Sequence, residues 1–149
     1  MGFTDAVRTC LTEKYITFSG RASRSEYWWF ALFSLLVTLV LVGLFFLFGG
    51  VRAMNTGQFS TINYIMGALF GVGMIALYIP YISVYVRRFH DRDLSGWWIL
   101  GVFVLSNIPY LGVLISLAAF VITVLKGTDG ENRFGEDPLN PSSGADVFA

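Results

Sequence analysis

The chain has 149 residues, of which 55% are apolar and 13% charged, whereas a soluble domain carries about 25% charged residues. Ten basic and ten acidic residues cancel, so no overall positive field favours nucleic acid, and a single cysteine permits no internal disulfide. Three runs of 25, 34 and 32 residues contain no charge, at 27–51, 53–86 and 94–125. Because about 20 apolar residues can cross a bilayer as a helix, the sequence predicts an integral membrane protein and excludes a soluble enzyme domain.

Residues 1–22 are mixed in polarity. Apolar side chains recur at helical spacing from Phe3 to Tyr15, with Asp5, Arg8 and Glu13 between them. The pattern predicts a short amphipathic helix. It would either lie at the membrane interface or pack against the rest of the protein, and the pattern favours neither.

The first membrane helix is predicted at 24–48. Ser23 and Glu26 have the spacing of a capping box, in which the Ser23 hydroxyl accepts the Glu26 N–H and the Glu26 carboxylate accepts the Ser23 N–H. Gly49 and Gly50 would end the helix, and the polar residues that follow predict a loop over 49–61.

The second membrane helix is predicted at 62–86. It contains Gly67 and Gly71, a Gly-x-x-x-Gly pair that allows two helix backbones to approach closely. This pair favours packing within the chain over a seam between copies of a homo-oligomer. Pro80 should kink the helix near its end.

The third apolar run is too long for one straight helix, and Asn107 and Pro109 interrupt it. It predicts a hairpin of two short helices at 94–107 and 109–125, with Pro109 in the first turn of the second. The expected fold is therefore all-α, a small polytopic membrane helix bundle with four membrane segments. The alternative has three spans, the third of them kinked.

A single membrane domain is expected over residues 1–138, followed by a disordered tail at 139–149. Four Lys or Arg residues precede the first span, only Arg52 follows it, and three lie in 87–93. The positive-inside rule therefore places the N-terminus and 87–93 in the cytoplasm. Four tryptophans are expected to anchor that interface: Trp28, Trp29, Trp97 and Trp98.

Polar residues gather in three segments, 18–26, 87–96 and 126–138, all on the cytoplasmic face in the four-segment arrangement. We interpret them either as a structural ion network that docks the loops together or as a cradle for anionic lipid head groups. The structural interpretation is favoured. The candidate residues are Arg21, Arg24, Glu26, Arg87, Arg88, His90, Asp91, Arg92, Asn132, Arg133 and Asp137.

Catalytic, cofactor-binding and metal-ligating residues are not predicted. His90 is the only histidine and Cys10 the only cysteine, so a zinc site lacks ligands, and no nucleophile motif is present. A structural or accessory membrane protein that binds lipids or a partner protein fits best. The alternatives are a small transporter or channel subunit and, third, a lipid-modifying enzyme.

The three polar segments resemble the bacterial family known as domain of unknown function 805, the YhaH-like inner-membrane proteins. The resemblance covers about 3–138, with small departures at Phe89 and Glu136. It implies a small multipass protein of the bacterial cytoplasmic membrane and supplies no activity. The motifs are Phe18-x-Gly20-Arg21-Ala22-x-Arg24-x-Glu26-Tyr27-Trp28, Arg87-Arg88-Phe89-His90-Asp91-x-x-x-Ser95-Gly96-Trp97-Trp98 and Gly127-Thr128-x-Gly130-x-Asn132-Arg133-Phe134-Gly135-x-Asp137-Pro138.

Overall fold

The structure is a computed structural model that describes residues 1–140, and within that range it contains helices and no β-strand. Residues 141–149, most of the predicted tail, lie outside the described range. The first helix continues through a π-helical turn, Thr9–Glu13, and the second through another, Phe46–Gly50. The helices are α1 (Phe3–Arg8), α2 (Arg24–Phe45), α3 (Val51–Thr56), α4 (Thr61–His90), α5 (Trp97–Leu105) and α6 (Leu111–Val124).

Helices α2 and α4 form the frame of the bundle. With 22 and 30 residues, they rise about 33 Å and 45 Å, enough to cross a hydrocarbon core of about 30 Å. Almost no residue in their most apolar stretches is buried. A soluble protein could not expose such faces to water, so the predicted all-α membrane bundle is confirmed.

The predicted start of α2 is correct, but the predicted capping box forms only in part. The Ser23 hydroxyl accepts the backbone N–H of Glu26 at 3.2 Å. The carboxylate of Glu26 does not return to Ser23, because it pairs with Arg87 at the end of α4.

The far end of α2 differs from the prediction. The regular α-helix ends at Phe45, three residues before its predicted end, and Gly49 then interrupts the helical conformation with a φ of +89°. The predicted loop over 49–61 is wrong where α3 forms, since Ala53 is buried there and Gly57 ends α3 in the left-handed conformation.

Helix α4 extends four residues beyond its predicted end at 86. Arg87, Arg88 and His90 lie in its last turn, where positive charge faces the negative end of the helix dipole. Partners elsewhere in the fold stabilise these charges, and the helix continues beyond residue 86.

Pro80 lies inside α4 and cannot donate to the carbonyl of Ala76, four residues earlier. The hydroxyl of Tyr15 donates to that carbonyl instead, at 2.6 Å. The N-terminal segment is thus docked on the bundle, with Ala6 and Cys10 fully buried. The predicted packing of 1–22 against the protein is found, and a place at the membrane interface stays a prediction.

Helices α5 and α6 form a hairpin. Thr128 follows α6 and Asp91 precedes α5, and the N–H of Thr128 donates to the carbonyl of Asp91 at 2.8 Å. The chain after α6 therefore lies at the same end of the bundle as the chain before α5. A single kinked helix is therefore wrong. With 9 and 14 residues, the two helices rise only about 14 Å and 21 Å.

The hairpin helices are shorter than predicted, because the turn takes more residues. Pro109 precedes α6 by two residues rather than lying in its first turn. A Cβ atom at Gly112 would overlap the carbonyl oxygen of Ser106, so this position needs glycine for the two backbones to approach.

The prediction that Gly67 and Gly71 pack closely within the chain is wrong. A Cβ atom added at either glycine would meet nothing within 4 Å, whereas one at Gly73 would lie 2.9 Å from Cδ1 of Leu41. The close approach of α2 and α4 therefore falls at Gly73, on a different face of α4. The alternative of a seam between copies at Gly67 and Gly71 stays untested.

Candidate functional site: a buried ionic cluster

Five charged side chains are buried where the ends of α2 and α4 meet the chain after α6. We call them the ionic cluster. Three are arginines and two are carboxylates, and none of these side chains is more than 4% exposed. Buried charge is tolerated only when it is paired and hydrogen-bonded, so each member must have a partner. The members are Arg21, Glu26, Arg87, Arg88 and Asp91.

The first ion pair joins α2 to α4. Glu26 in the first turn of α2 accepts from Nη1 of Arg87 in the last turn of α4. The Sγ atom of Cys10 lies 4.0 Å from Oε1 of Glu26 and 3.9 Å from Nη2 of Arg87. Burial, with the nearby Glu26 carboxylate, raises the pKa of the Cys10 thiol to about 11, so the thiol is protonated at neutral pH.

The second centre is Asp91, which binds two arginines. Its Oδ1 atom accepts from Nε of Arg21 at 2.9 Å, and its Oδ2 atom accepts from Nη1 of Arg88. Arg21 precedes α2 and Arg88 lies in α4, so one carboxylate connects both. The three arginines outnumber the two carboxylates, leaving one positive charge to be stabilised by other acceptors.

Backbone carbonyls supply those acceptors. Arg21 donates to the carbonyls of Gly130 at 2.5 Å and Thr128 at 2.6 Å. Arg88 donates to the carbonyl of Thr123 at 3.1 Å and to that of Leu125, at the C-terminal end of α6, where the helix dipole is negative. Sequence reasoning missed these acceptors, since every residue type carries a carbonyl.

A further layer holds the segment after α6 in place. The Asn132 amide donates to the carbonyl of His90 at 3.0 Å. The His90 ring stacks on Phe134 with centroids 3.9 Å apart and planes 4° apart, and its Nδ1 atom lies 3.1 Å from the carbonyl oxygen of Gly20. His90 and Asn132 therefore act as structural contacts between all three polar segments.

The other predicted residues lie outside the ionic cluster. Arg24 is exposed and has no ion-pair partner within residues 1–140. Arg92 donates to the carbonyl of Lys126, and Arg133 pairs with Asp93 at 2.9 Å near the surface. The Asp137 carboxylate accepts the Leu139 N–H at 2.9 Å, which lowers its pKa.

The four tryptophans lie at the same end of the bundle as the ionic cluster. Trp28 and Trp29 lie in the second turn of α2, Trp97 and Trp98 in the first turn of α5, and all four are exposed. Trp28 also donates to the carbonyl of Thr123 at 3.3 Å. Their position suits interfacial anchoring, which stays a prediction.

The arrangement brings all three polar segments together and restricts their chemistry. Carboxylates and carbonyls bind most donors of the buried guanidiniums, and Nε of Arg87 has no hydrogen-bond partner among residues 1–140. A phosphate could reach these guanidiniums only by displacing internal partners. Across residues 1–140, no three His, Cys, Asp or Glu side chains are grouped to hold a metal. The ionic cluster connects chain segments.

The chain was compared with known proteins. The family model described as "Protein of unknown function (DUF805)" matches residues 15–136. Inner membrane protein YhaH of Escherichia coli K12 is 40% identical over 126 residues, which cover 85% of this chain and 90% of the relative. Inner membrane protein YhaI of the same strain is 33% identical over 130 residues, covering 85% and 89%. No solved structure matches.

Proposed function

The chain belongs to the DUF805 family, and from this premise we propose that it is a multipass protein of the bacterial cytoplasmic membrane with a structural or accessory role. The ionic cluster and the N-terminus lie on the cytoplasmic side, and the protein has no catalytic activity of its own. Its outer cations bind anionic lipid head groups of the inner leaflet.

The observation that carries this proposal is that every charged group of the ionic cluster is paired within the chain. Arg21, Arg87 and Arg88 are committed to internal acceptors, and His90 is held by Gly20 and Phe134. The polar groups that looked most suitable for chemistry are thereby used in folding. A rigid cytoplasmic cap on an apolar bundle suits a protein that organises other components.

Lipid binding is assigned to the rim of this cap. Arg24 is exposed without an ion pair in the described residues, and Arg92 satisfies only the carbonyl of Lys126. Arg24 precedes Trp28 by four residues and Arg92 precedes Trp97 by five, and tryptophan suits the head-group level of a bilayer. Juxtamembrane cations attract anionic lipids by about 1 kcal/mol each.

Orientation is tested with single cysteines on a Cys10→Ala background. Ser19, Gln58 and Asp129 are exposed and are replaced by cysteine one at a time. A membrane-impermeant maleimide added to intact spheroplasts should label Gln58→Cys, and should label Ser19→Cys and Asp129→Cys only after lysis. Labelling of Ser19→Cys and Gln58→Cys from the same side would overturn the multipass arrangement.

Lipid binding at the rim is tested with Arg24→Gln/Arg92→Gln. Purified protein in detergent should be stabilised by phosphatidylglycerol more than by phosphatidylcholine, and the double variant should lose most of that difference. Glu131→Gln/Glu136→Gln removes two exposed negative charges instead of two positive ones and serves as the control. An unchanged lipid response in the arginine variant would contradict the assignment.

A small transporter is the second candidate, and a cavity between α4 and α5 favours it. The cavity has a volume of about 620 Å³ and is lined by Tyr78, Tyr81, Tyr85, Ser106 and Asn107 among others. Proteoliposomes would show a flux of small amphiphilic solutes that Pro109→Ala reduces. Impermeable proteoliposomes would remove this candidate.

A further inference from the structure

Two cavities lie at the end of the bundle opposite the ionic cluster. One is polar, about 420 Å³ in volume, and the other is apolar, about 270 Å³. The proposed lipid rim at Arg24 and Arg92 uses neither. Residues around the polar cavity include Phe48, Arg52, Ala53, Gln58 and Asn63, and those around the apolar cavity include Phe45, Phe46, Met54, Gly67 and Phe70.

The same three elements line both cavities: the π-helical turn after α2, helix α3 and helix α4. On α4, Asn63 borders the polar cavity and Gly67 the apolar one, one turn or about 6 Å further along the helix. On α3 the corresponding residues are Ala53 and Met54, which follow each other in sequence. One molecule with a polar and an apolar part can therefore occupy both.

The polar cavity contains a charge with no counterion. Arg52 is the only charged residue between Glu26 and Arg87, so its own part of the chain offers no carboxylate. Its guanidinium makes no ion pair or hydrogen bond with any described residue, 1–140. Asn63 nearby is engaged with Phe48 and Ser60, leaving Arg52 and Gln58 as donors.

The depth of the two cavities matches a phospholipid. Helix α2 rises about 33 Å between Arg24 and Phe45, so the polar cavity lies at the opposite boundary of the hydrocarbon layer from the ionic cluster. The apolar cavity lies one turn further into the membrane. A lipid places its phosphate at that boundary and its acyl chains below it.

We propose that these cavities bind one anionic phospholipid of the leaflet opposite the ionic cluster. Arg52 and Gln58 hold its phosphate, and an acyl chain lies along α4 at Gly67. Glycine at position 67 then has a role in binding, because the absence of a side chain leaves the space that the acyl chain occupies.

The test measures phospholipid binding to the full chain by native mass spectrometry in detergent. Arg24→Gln/Arg92→Gln is the background, so the lipid site at the opposite rim is removed and the two proposals fail separately. In this background one phosphatidylglycerol should remain bound. Adding Arg52→Gln or Gly67→Leu should weaken its binding about tenfold, whereas Arg52→Lys should restore most of the affinity.

Matched controls separate this site from a general loss of fold. Gly71→Leu places the same side chain one turn from Gly67, at a position where an added Cβ atom also meets nothing within 4 Å and which does not line the apolar cavity. It should leave the affinity unchanged. Arg52→Gln alters an exposed residue and should keep the melting temperature of the lipid-free protein.

Three results would overturn the proposal. The first is equal affinity for phosphatidylglycerol with and without Arg52→Gln. The second is equally tight binding of phosphatidylcholine, which would remove the role of the unpaired charge. The third is complete displacement of the lipid by inorganic phosphate, which would show a site for a free anion that makes no use of the acyl chain.

Discussion

The two ends of the α2–α4 pair are held together by different means. At the ionic end, Glu26 and Arg87 form a buried ion pair surrounded by further charges. At the opposite end, the Asn63 amide donates to the carbonyl of Phe48 at 2.9 Å, and both residues border the polar cavity. The bundle is therefore held by buried ion pairs at one end and by a neutral hydrogen bond beside a cavity at the other.

The difference follows from the energetics of burial. Removing one partner of a buried ion pair leaves an uncompensated charge and costs about 3–5 kcal/mol, whereas a neutral hydrogen bond contributes about 1 kcal/mol. The ionic end should therefore tolerate little change and the opposite end more. Four substitution experiments test this, in order of expected effect.

Glu26→Gln should be the most damaging change. It leaves Arg87 buried without its carboxylate, so the free energy of unfolding should fall by about 3–5 kcal/mol. Sodium dodecyl sulfate titration in mixed micelles, followed by circular dichroism, measures this. Glu13→Gln is the control, because its pair with Arg8 is exposed at 3.8 Å and contributes less than about 1 kcal/mol. Similar losses of stability in both variants would show that the buried ion pair does not stabilise the fold more than an exposed one.

Gly127→Ala should come next. A Cβ atom at Gly127 would overlap the carboxylate of Asp91 and displace it from Arg21 and Arg88, and such overpacking costs about 1–3 kcal/mol. Gly43→Ala is the matched control, since nothing lies within 4 Å of its added Cβ atom. The same titration should show no loss for Gly43→Ala, and a tolerated Gly127→Ala would mean that the cluster repacks freely.

Asn63→Ala tests the opposite end. It removes the hydrogen bond to Phe48 and the contacts with Ser60, which should cost about 1–2 kcal/mol. Asn55→Ala, at an exposed position, should change stability by less than about 0.5 kcal/mol. If Asn63→Ala proved as damaging as Glu26→Gln, the contrast between the two ends would be lost.

Titration of Cys10 has no effect on stability at neutral pH and is visible only at high pH. Its folded pKa of about 11 lies above the ordinary value of 9.0, so folding favours the protonated thiol. That contribution is complete below pH 9 and is lost as the pH rises from 9 to 11. The stability difference between wild type and Cys10→Ala should therefore shrink over this window. A difference independent of pH would show that the thiol is not buried beside Glu26.

Several features were predictable from the sequence because they depend on local patterns. The charge-free runs predicted the membrane helices, and Ser23 predicted the start of α2. The three polar segments were predicted to meet, and they do where Arg21 binds both Asp91 and the carbonyls of Thr128 and Gly130. Each of these inferences needs only residue type and spacing along the chain.

Tertiary contacts decided the rest. Glu26 pairs with Arg87 rather than Ser23, and Tyr15 donates to Ala76; both contacts join residues far apart in sequence. Contacts of this kind also stabilise the charges in the last turn of α4, which extends to His90. The close approach at Gly73 instead of Gly67 also joins residues far apart in sequence. Residue spacing shows which groups are polar or small, but the partner that lowers the free energy of a buried charge is known only once the helices are packed together.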